Sequence, residues 1–185
     1  MRSVFILPAV AILAAVGLSS VFIVDERERV LVLQFGQVKQ QITEPGLGFK
    51  IPLIQDVVRY EDRILGLPTQ AIEVTPADDR RLVVDAFARW RITNLVDFRE
   101  AVGAGGETSA RARLDRIINA AIREVLGSVP SGRVLSEDRT ALMNQIRDLA
   151  RREAASLGVE VIDVRLTRTD LPEQNLEATF ARMRA

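Results

Sequence analysis

The sequence predicts an α+β protein: one N-terminal transmembrane helix, a β-rich part, an α/β part and the start of a long helix. Three observations carry that expectation. The chain is uncharged and largely apolar from Ser3 to Val24. Between Arg81 and Ile92 one set of alternate positions is wholly apolar, the period of a half-buried strand. After Asn94 apolar positions recur at intervals of three and four, the period of a helix with one buried stripe. The expected divisions are 1–24 for the anchor, 25–94 for the β-rich, membrane-proximal part, 95–168 for the α/β part, and 169–185 for the opening of the last helix.

The anchor is read from length and charge. At 1.5 Å per residue a helix from Ser3 to Val24 covers roughly 33 Å, close to the ~30 Å hydrocarbon core of a bilayer. Pro8 and Gly17 interrupt the run, but membrane helices tolerate both. Arg2 flanks one side; Asp25, Glu26, Arg27, Glu28 and Arg29 flank the other. A cleaved secretory signal is the main rival, yet such apolar regions usually span about 7–15 residues and end at a small-x-small site. A buried core helix is the third reading, and so short a chain could hardly surround it. Lys and Arg are too evenly placed around the run to decide its orientation.

The β-rich part follows. Arg29–Phe35 and Val38–Thr43 form an expected hairpin broken at Gly36, and residues 44–48 (EPGLG) an expected turn. The segment 49–54 (FKIPLI) is apolar but broken by Pro52. Beside a membrane anchor its Phe49, Ile51, Leu53 and Ile54 are candidates for resting on the lipid surface; an edge strand or core loop is the competing reading. Asp56–Ile64 and Gln70–Thr75 are expected strands, with a loop at 76–79. Arg81–Ile92 turns Leu82, Val84, Ala86, Ala88, Trp90 and Ile92 to one face.

Asn94 is the expected N-cap of a helix over Leu95–Val102, with Asp97 favourable in its first turn. Glycines 103, 105 and 106 end it. Leu114, Ile117, Ile118, Ala121, Ile122, Val125 and Leu126 stripe a second helix closed by Gly127. Ser136 is the expected cap of a third, with Leu142, Ile146, Leu149, Ala150 and Leu157 on its buried side and Gly158 at its end. Val159–Leu166 carries apolar residues on both faces and is expected to be a strand buried on both sides. Pro172 opens the last helix at a position where its missing N–H is harmless. Leu176, Phe180 and Met183 would form a narrow helix seam there, a candidate coiled-coil start. The chain stops at Ala185 in mid-helix, as a piece of a longer protein would.

Composition narrows the chemistry. Acids and bases balance at 25 each, so there is no electrostatic case for nucleic acid. The chain has no cysteine and no histidine, which removes thiolate chemistry, cysteine-based zinc sites and the commonest general base and metal ligand. Among the bases only Lys39 and Lys50 are lysines; a Ser–Lys dyad would need one of them buried beside a serine. Asp78-Asp79 is a weak hard-cation candidate without further ligand spacing. The glycines at 103–106 lack the Lys-Ser/Thr ending of a phosphate loop. The arginines at 80, 81, 89, 91, 111, 113 and 116 are interleaved with acids. No catalytic residue, cofactor or metal site is expected.

Seven segments, in order, resemble the SPFH superfamily of stomatins, prohibitins, flotillins and the bacterial HflK/HflC pair. They are VLVLQFGQV (30–38), EPGLGFKIPLIQDV (44–57), YEDRI (60–64), LVVDAFARWRITN (82–94), SEDR (136–139), LGVEVIDVRLTRTDLP (157–172) and ARMRA (181–185). Each is weak alone; their order and spacing together are specific. The anchor at the very start and the GVEVIDVRLTRTDLP stretch resemble the HflC branch most. The resemblance implies a β-rich subdomain followed by an α/β subdomain. It also implies a non-enzymatic scaffold in the bacterial inner membrane with its soluble part periplasmic. The partners it implies are an HflK-like subunit, co-assembled into a cage, and the membrane AAA+ protease FtsH, which the cage regulates. Two other classes remain open: a stomatin-like organiser of other membrane proteins or lipids, and a membrane-anchored hydrolase.

Overall fold

Strand pairing, rather than the helices, divides the protein. A computed structural model describes residues 17–79, 81–134 and 139–170, and these fall into two compact units that meet in sequence between Arg63 and Ile64.

The N-terminal unit holds five strands: β1 (Val21–Val24), β2 (Glu28–Gln34), β3 (Gln37–Ile42), β4 (Gly46–Phe49) and β5 (Gln55–Glu61). β2 is the centre of an antiparallel sheet ordered β3-β2-β5, while β1 and β4 form a separate antiparallel ribbon. Phe22 and Val24 of the ribbon bury against Val30 and Val32 of the sheet, with Ile42 and Val57 beside them. Phe22 lies directly opposite Gly48. A Cβ at position 48 would stand 2.4 Å from the Phe22 ring, so glycine there is what lets the ring lie flat across its neighbour strand.

Two sequence expectations change here. Val21–Val24, read as the end of the membrane helix, is a strand. Gly46-Leu47-Gly48, read as a turn, is the strand it pairs with. Of the rest of the predicted anchor, residues 17–20 form a helical turn, and those up to Val16 lie outside the described residues. Among those described, no helix is long and apolar enough to cross a membrane.

The C-terminal unit is built on β8 (Leu82–Ile92), the long alternating strand. β6 (Leu65–Pro68) and β7 (Ile72–Val74) pair along one edge of β8, and β9 (Val159–Asp170) pairs along the other, all antiparallel. The helices are α1 (Leu95–Val102), α2 (Gly106–Gly127), the short α3 (Ser131–Val134) and α4 (Arg139–Ala154). α4 packs on both β9 and α2. The core includes Trp90 and Phe98, stacked with ring centres 6.5 Å apart, together with Leu114, Ile118, Ile122, Leu126 and Ile146. α1 begins as expected: the Asn94 side chain accepts hydrogen bonds from the Val96 and Asp97 amides at 3.0 and 3.3 Å. The expected cap at Ser136 lies outside the described residues, as does the seam at Leu176, Phe180 and Met183.

The expected division at 94/95 also changes, because it would cut the β8–β9 pairing. β6, β7 and β8 belong with the helices they cover. Nor is β9 buried on both faces. Its register against β8 slips twice, so that Ile162 and Thr167 are each skipped. Each bulge shifts the alternation by one residue, which turns Val159, Val161, Val164 and Leu166 to the same side, all buried. The outer side carries charge: Asp163 pairs with Arg89 and Arg165, and Glu160 with Arg91 and Arg151.

Candidate membrane-facing site

The N-terminal unit is polarised from end to end, and its connectivity explains how. β2 and β5 start and finish at a charged end. There Glu28 pairs with Glu61 in register, the Asp25–Glu28 turn reverses the chain, and Arg29 holds Asp62 at 2.7 Å. Arg59 reaches Glu28 across the same sheet, at 3.4 Å. The opposite end gathers apolar side chains from separate parts of the chain. Val21 pairs with Phe49 there, and Ile23 with Leu47 on the same ribbon, one step from Val24 and the charged turn. All four are exposed, on the ribbon face opposite Phe22 and Val24.

The 50–54 loop then turns back into β5. Its fold is held by the Gln55 amide donating to the Ile51 carbonyl at 3.0 Å and by the Ile51 amide donating to the Gln55 side chain at 2.8 Å. Gln55 is paired with Gln34, so the loop and the β2–β3 turn emerge side by side. That turn presents Phe35, 83% exposed. The chain arriving from the apolar N-terminal run joins at this end too: the Lys50 amide donates to the Ser20 carbonyl at 2.8 Å.

The sequence candidates Phe49, Ile51, Leu53 and Ile54 are thus all exposed, with Leu53 fully so. The structure adds Val21, Ile23, Leu47 and Phe35 to the same unit's exposed apolar surface. Sequence reasoning assigned three of these to an anchor or a turn and Phe35 to a strand. The available signal was the missing charge: apart from Lys39 and Lys50, no charged residue occurs between Val30 and Gln55 except Glu44, and Glu44 lies in the β3–β4 connection at the charged end. Exposed large apolar side chains gathered in one small unit make it a candidate for interaction with lipid or protein.

The other candidates resolve differently. Asp78 is a structural acceptor, taking hydrogen bonds from the Ser131 amide at 3.1 Å and from the Ser131 hydroxyl at the start of α3. Among the described residues no cluster of three or more acidic side chains could hold a metal. Residues 103–105 form a single 3₁₀ turn that leads into α2. Arg89 and Arg91 are engaged with acids across β8–β9. The register sets Ser20 beside half-buried Lys50, a proximity hidden by their separation in sequence, and the Lys50 amide donates to the Ser20 carbonyl.

The family model of the SPFH domain / Band 7 family matches residues 22–185. The chain belongs to the SPFH domain / Band 7 family. This SPFH chain is 32% identical to Protein HflC of Haemophilus influenzae, over 98% of its own length and 64% of that protein's. It is 29% identical to the Modulator of FtsH protease HflC of Escherichia coli, over 97% of its length and 67% of that protein's. With Protein HflC of Buchnera aphidicola the identity is 30%, over 90% and 61%. The chain therefore spans about two-thirds of the relatives it matches, less than that for the first and third.

Proposed function

We propose that this SPFH chain is a non-enzymatic scaffold of the bacterial inner membrane. It is anchored by a single N-terminal span with its soluble units on the periplasmic side. It co-assembles with an HflK-like subunit into an oligomeric cage and regulates an FtsH-type membrane protease. The observation that carries this reading is similarity to HflC proteins over nearly the whole chain, one of them named a modulator of FtsH protease.

The physical account is steric. The apolar end of the N-terminal unit, with Phe49, Ile51, Leu53 and Ile54, rests on the lipid and sets the height of each subunit. The C-terminal unit presents charges of both signs, such as the Arg89–Asp163–Arg165 and Arg91–Glu160–Arg151 groups. Mixed charge of that kind suits lateral contacts made many times over, since complementary patches fix register and reject wrong partners. A closed wall of such subunits would limit which substrates reach an enclosed protease, without chemistry of its own. The last helix, with the seam Leu176, Phe180 and Met183, would extend the wall.

The test is capture of the tagged full-length protein from detergent-solubilised membranes of its own organism. A membrane AAA+ protease and a second SPFH chain should co-purify in a large assembly. Recovery of a lone subunit, with neither companion, would refute the proposal.

A further inference from the structure

Three described residues other than glycine have positive φ: Phe35 (50°), Leu53 (69°) and Asp79 (58°). Asp tolerates that region; bulky apolar residues rarely adopt it. Phe35 and Leu53 are also among the most exposed apolar side chains described, and they stand at the same end of the N-terminal unit.

Phe35 is the sharper case. Gln34 pairs with Gln37, leaving Phe35 and Gly36 as a two-residue hairpin loop with φ values of 50° and 82°. This is the type I′ geometry, for which Asn-Gly is the preferred pair. The Phe35 ring is exposed and absent from the core, so packing does not explain an aromatic residue there. Local stability would be better served by asparagine. Strain held at an exposed position points to a role outside the fold.

We infer that the β2–β3 hairpin tip is a second lipid-inserting point, with the Phe35 ring entering the bilayer interface beside the 50–54 loop. The inference rests on the proposed lipid-facing role of this end and extends it to a residue outside that loop. The chemistry agrees. On elements that lie in the plane of a bilayer surface, Phe and Leu are among the side chains that bury at the headgroup–acyl boundary. The flanking Gln34 and Gln37 carry no charge to desolvate, and Lys39 can hold its ammonium in water or among headgroups on a long apolar stem.

The absence of cysteine makes the test clean. Full-length Gln37→Cys, Leu53→Cys and Glu44→Cys variants, with Phe35 kept, would carry a fluorescent probe and be reconstituted into phosphatidylcholine vesicles containing acyl-chain nitroxide quenchers. Probes at 37, at the hairpin tip, and at 53 should be quenched several-fold more than the probe at 44, which is at the charged end. Quenching at 53 but not at 37 would overturn the inference and leave the lipid-facing loop standing. Quenching at neither would overturn both. A probe at 37 shielded from water but not quenched by lipid would show that a protein covers the tip, and would also overturn it. Unlabelled Phe35→Asn separates the structural alternative: it should unfold at the same or a higher denaturant concentration than the parent. Unfolding at a lower one would mean that the ring supports the fold.

Discussion

Gly158→Ala should be among the most damaging single-methyl changes in the C-terminal unit. Gly158 ends the helical segment after α4 in the left-handed region, at φ 67°. Its carbonyl accepts three hydrogen bonds, from the Thr93 and Asn94 amides at 3.0 Å each and from the Thr93 hydroxyl at 3.1 Å. It thus ties the start of β9 to the start of α1. A Cβ there would sit 2.5 Å from the Asn94 carbonyl oxygen and 2.6 Å from the Phe98 nitrogen, both backbone atoms that cannot rotate away. The left-handed conformation costs a non-glycine residue about 1–2 kcal/mol, and overpacking of this kind about 1–3 kcal/mol more. Their sum, roughly 2–5 kcal/mol, is a large share of a domain's usual 5–15 kcal/mol. Urea unfolding of parent and variant in detergent, followed by circular dichroism, measures the cost. A loss no greater than the conformational part alone, about 1–2 kcal/mol, would refute the close approach of Gly158 to α1.

Other perturbations test other parts of the structure. Hydrogen bonds from Arg165, and then from Arg89, hold the Asp163 carboxyl below the usual aspartate range, although burial pushes the other way. Its folded pKa is therefore below its unfolded value of about 3.9, so its contribution is complete above that pH and is lost as pH falls through the folded pKa. Asp163→Asn should cost about 0.2–1 kcal/mol near neutrality, the range for exposed pairs, and should flatten the acid limb of stability against pH; an unchanged limb would count against the pairing. Gly48→Ala should destabilise the N-terminal unit by about 1–3 kcal/mol. In a Phe22→Leu background, which removes the ring beneath it, most of that cost should vanish; simple additivity in the double-mutant cycle would contradict the contact. Leu53→Asn places a residue tolerant of positive φ at a fully exposed site, so thermal unfolding should be no earlier. Vesicle docking of the 50–54 loop, read by protease protection, should weaken by about 1.5–3 kcal/mol, the value of burying one leucine. Undiminished protection would count against lipid contact at this residue.

Elements with local signals were legible in the sequence. The alternation of β8, the Asn94 cap and the apolar stripe of α2 each lie within one segment and needed no partner to be recognised. What was hidden depends on partners far along the chain. Val21–Val24 continues an apolar run without punctuation, and only pairing with Gly46–Phe49 makes it a strand. Gly46 and Gly48 look like turn residues, yet Gly48 is required by the Phe22 ring opposite. The two bulges in β9 moved its apolar residues out of phase, so one buried face was read as two. The boundary between the units was misplaced because β8 is completed by a strand beginning at Val159. The same causes limited the site: Phe49, Ile51, Leu53 and Ile54 stood out beside the predicted anchor, whereas Val21, Ile23 and Leu47 were concealed by the misread ribbon.

The shift of Val21–Val24 from helix to strand changes what the proposed anchor must do. A helix from Ser3 that ended at Ser20 would cover roughly 27 Å at 1.5 Å per residue, a little short of the ~30 Å hydrocarbon core. A short span is accommodated by local thinning of the bilayer or by drawing flanking groups toward it. Here the flanking groups are apolar. Val21 follows at once, paired with Phe49, and the 50–54 loop and Phe35 stand at the same end of the unit. Drawing this end into the interface would bury exposed apolar surface while Asp25, Glu26 and Arg27, at the far end of β1, stayed in water. On the proposed reading, anchor and ribbon are thus one continuous device: the strand begins where the span runs out, and its exposed side chains supply the missing apolar length. Inserting two leucines after Val16 would lengthen the span by about 3 Å, so the probe at Leu53 should become shallower in the same quenching assay. A probe depth indifferent to that insertion would mean that the span does not set the height of the N-terminal unit over the bilayer.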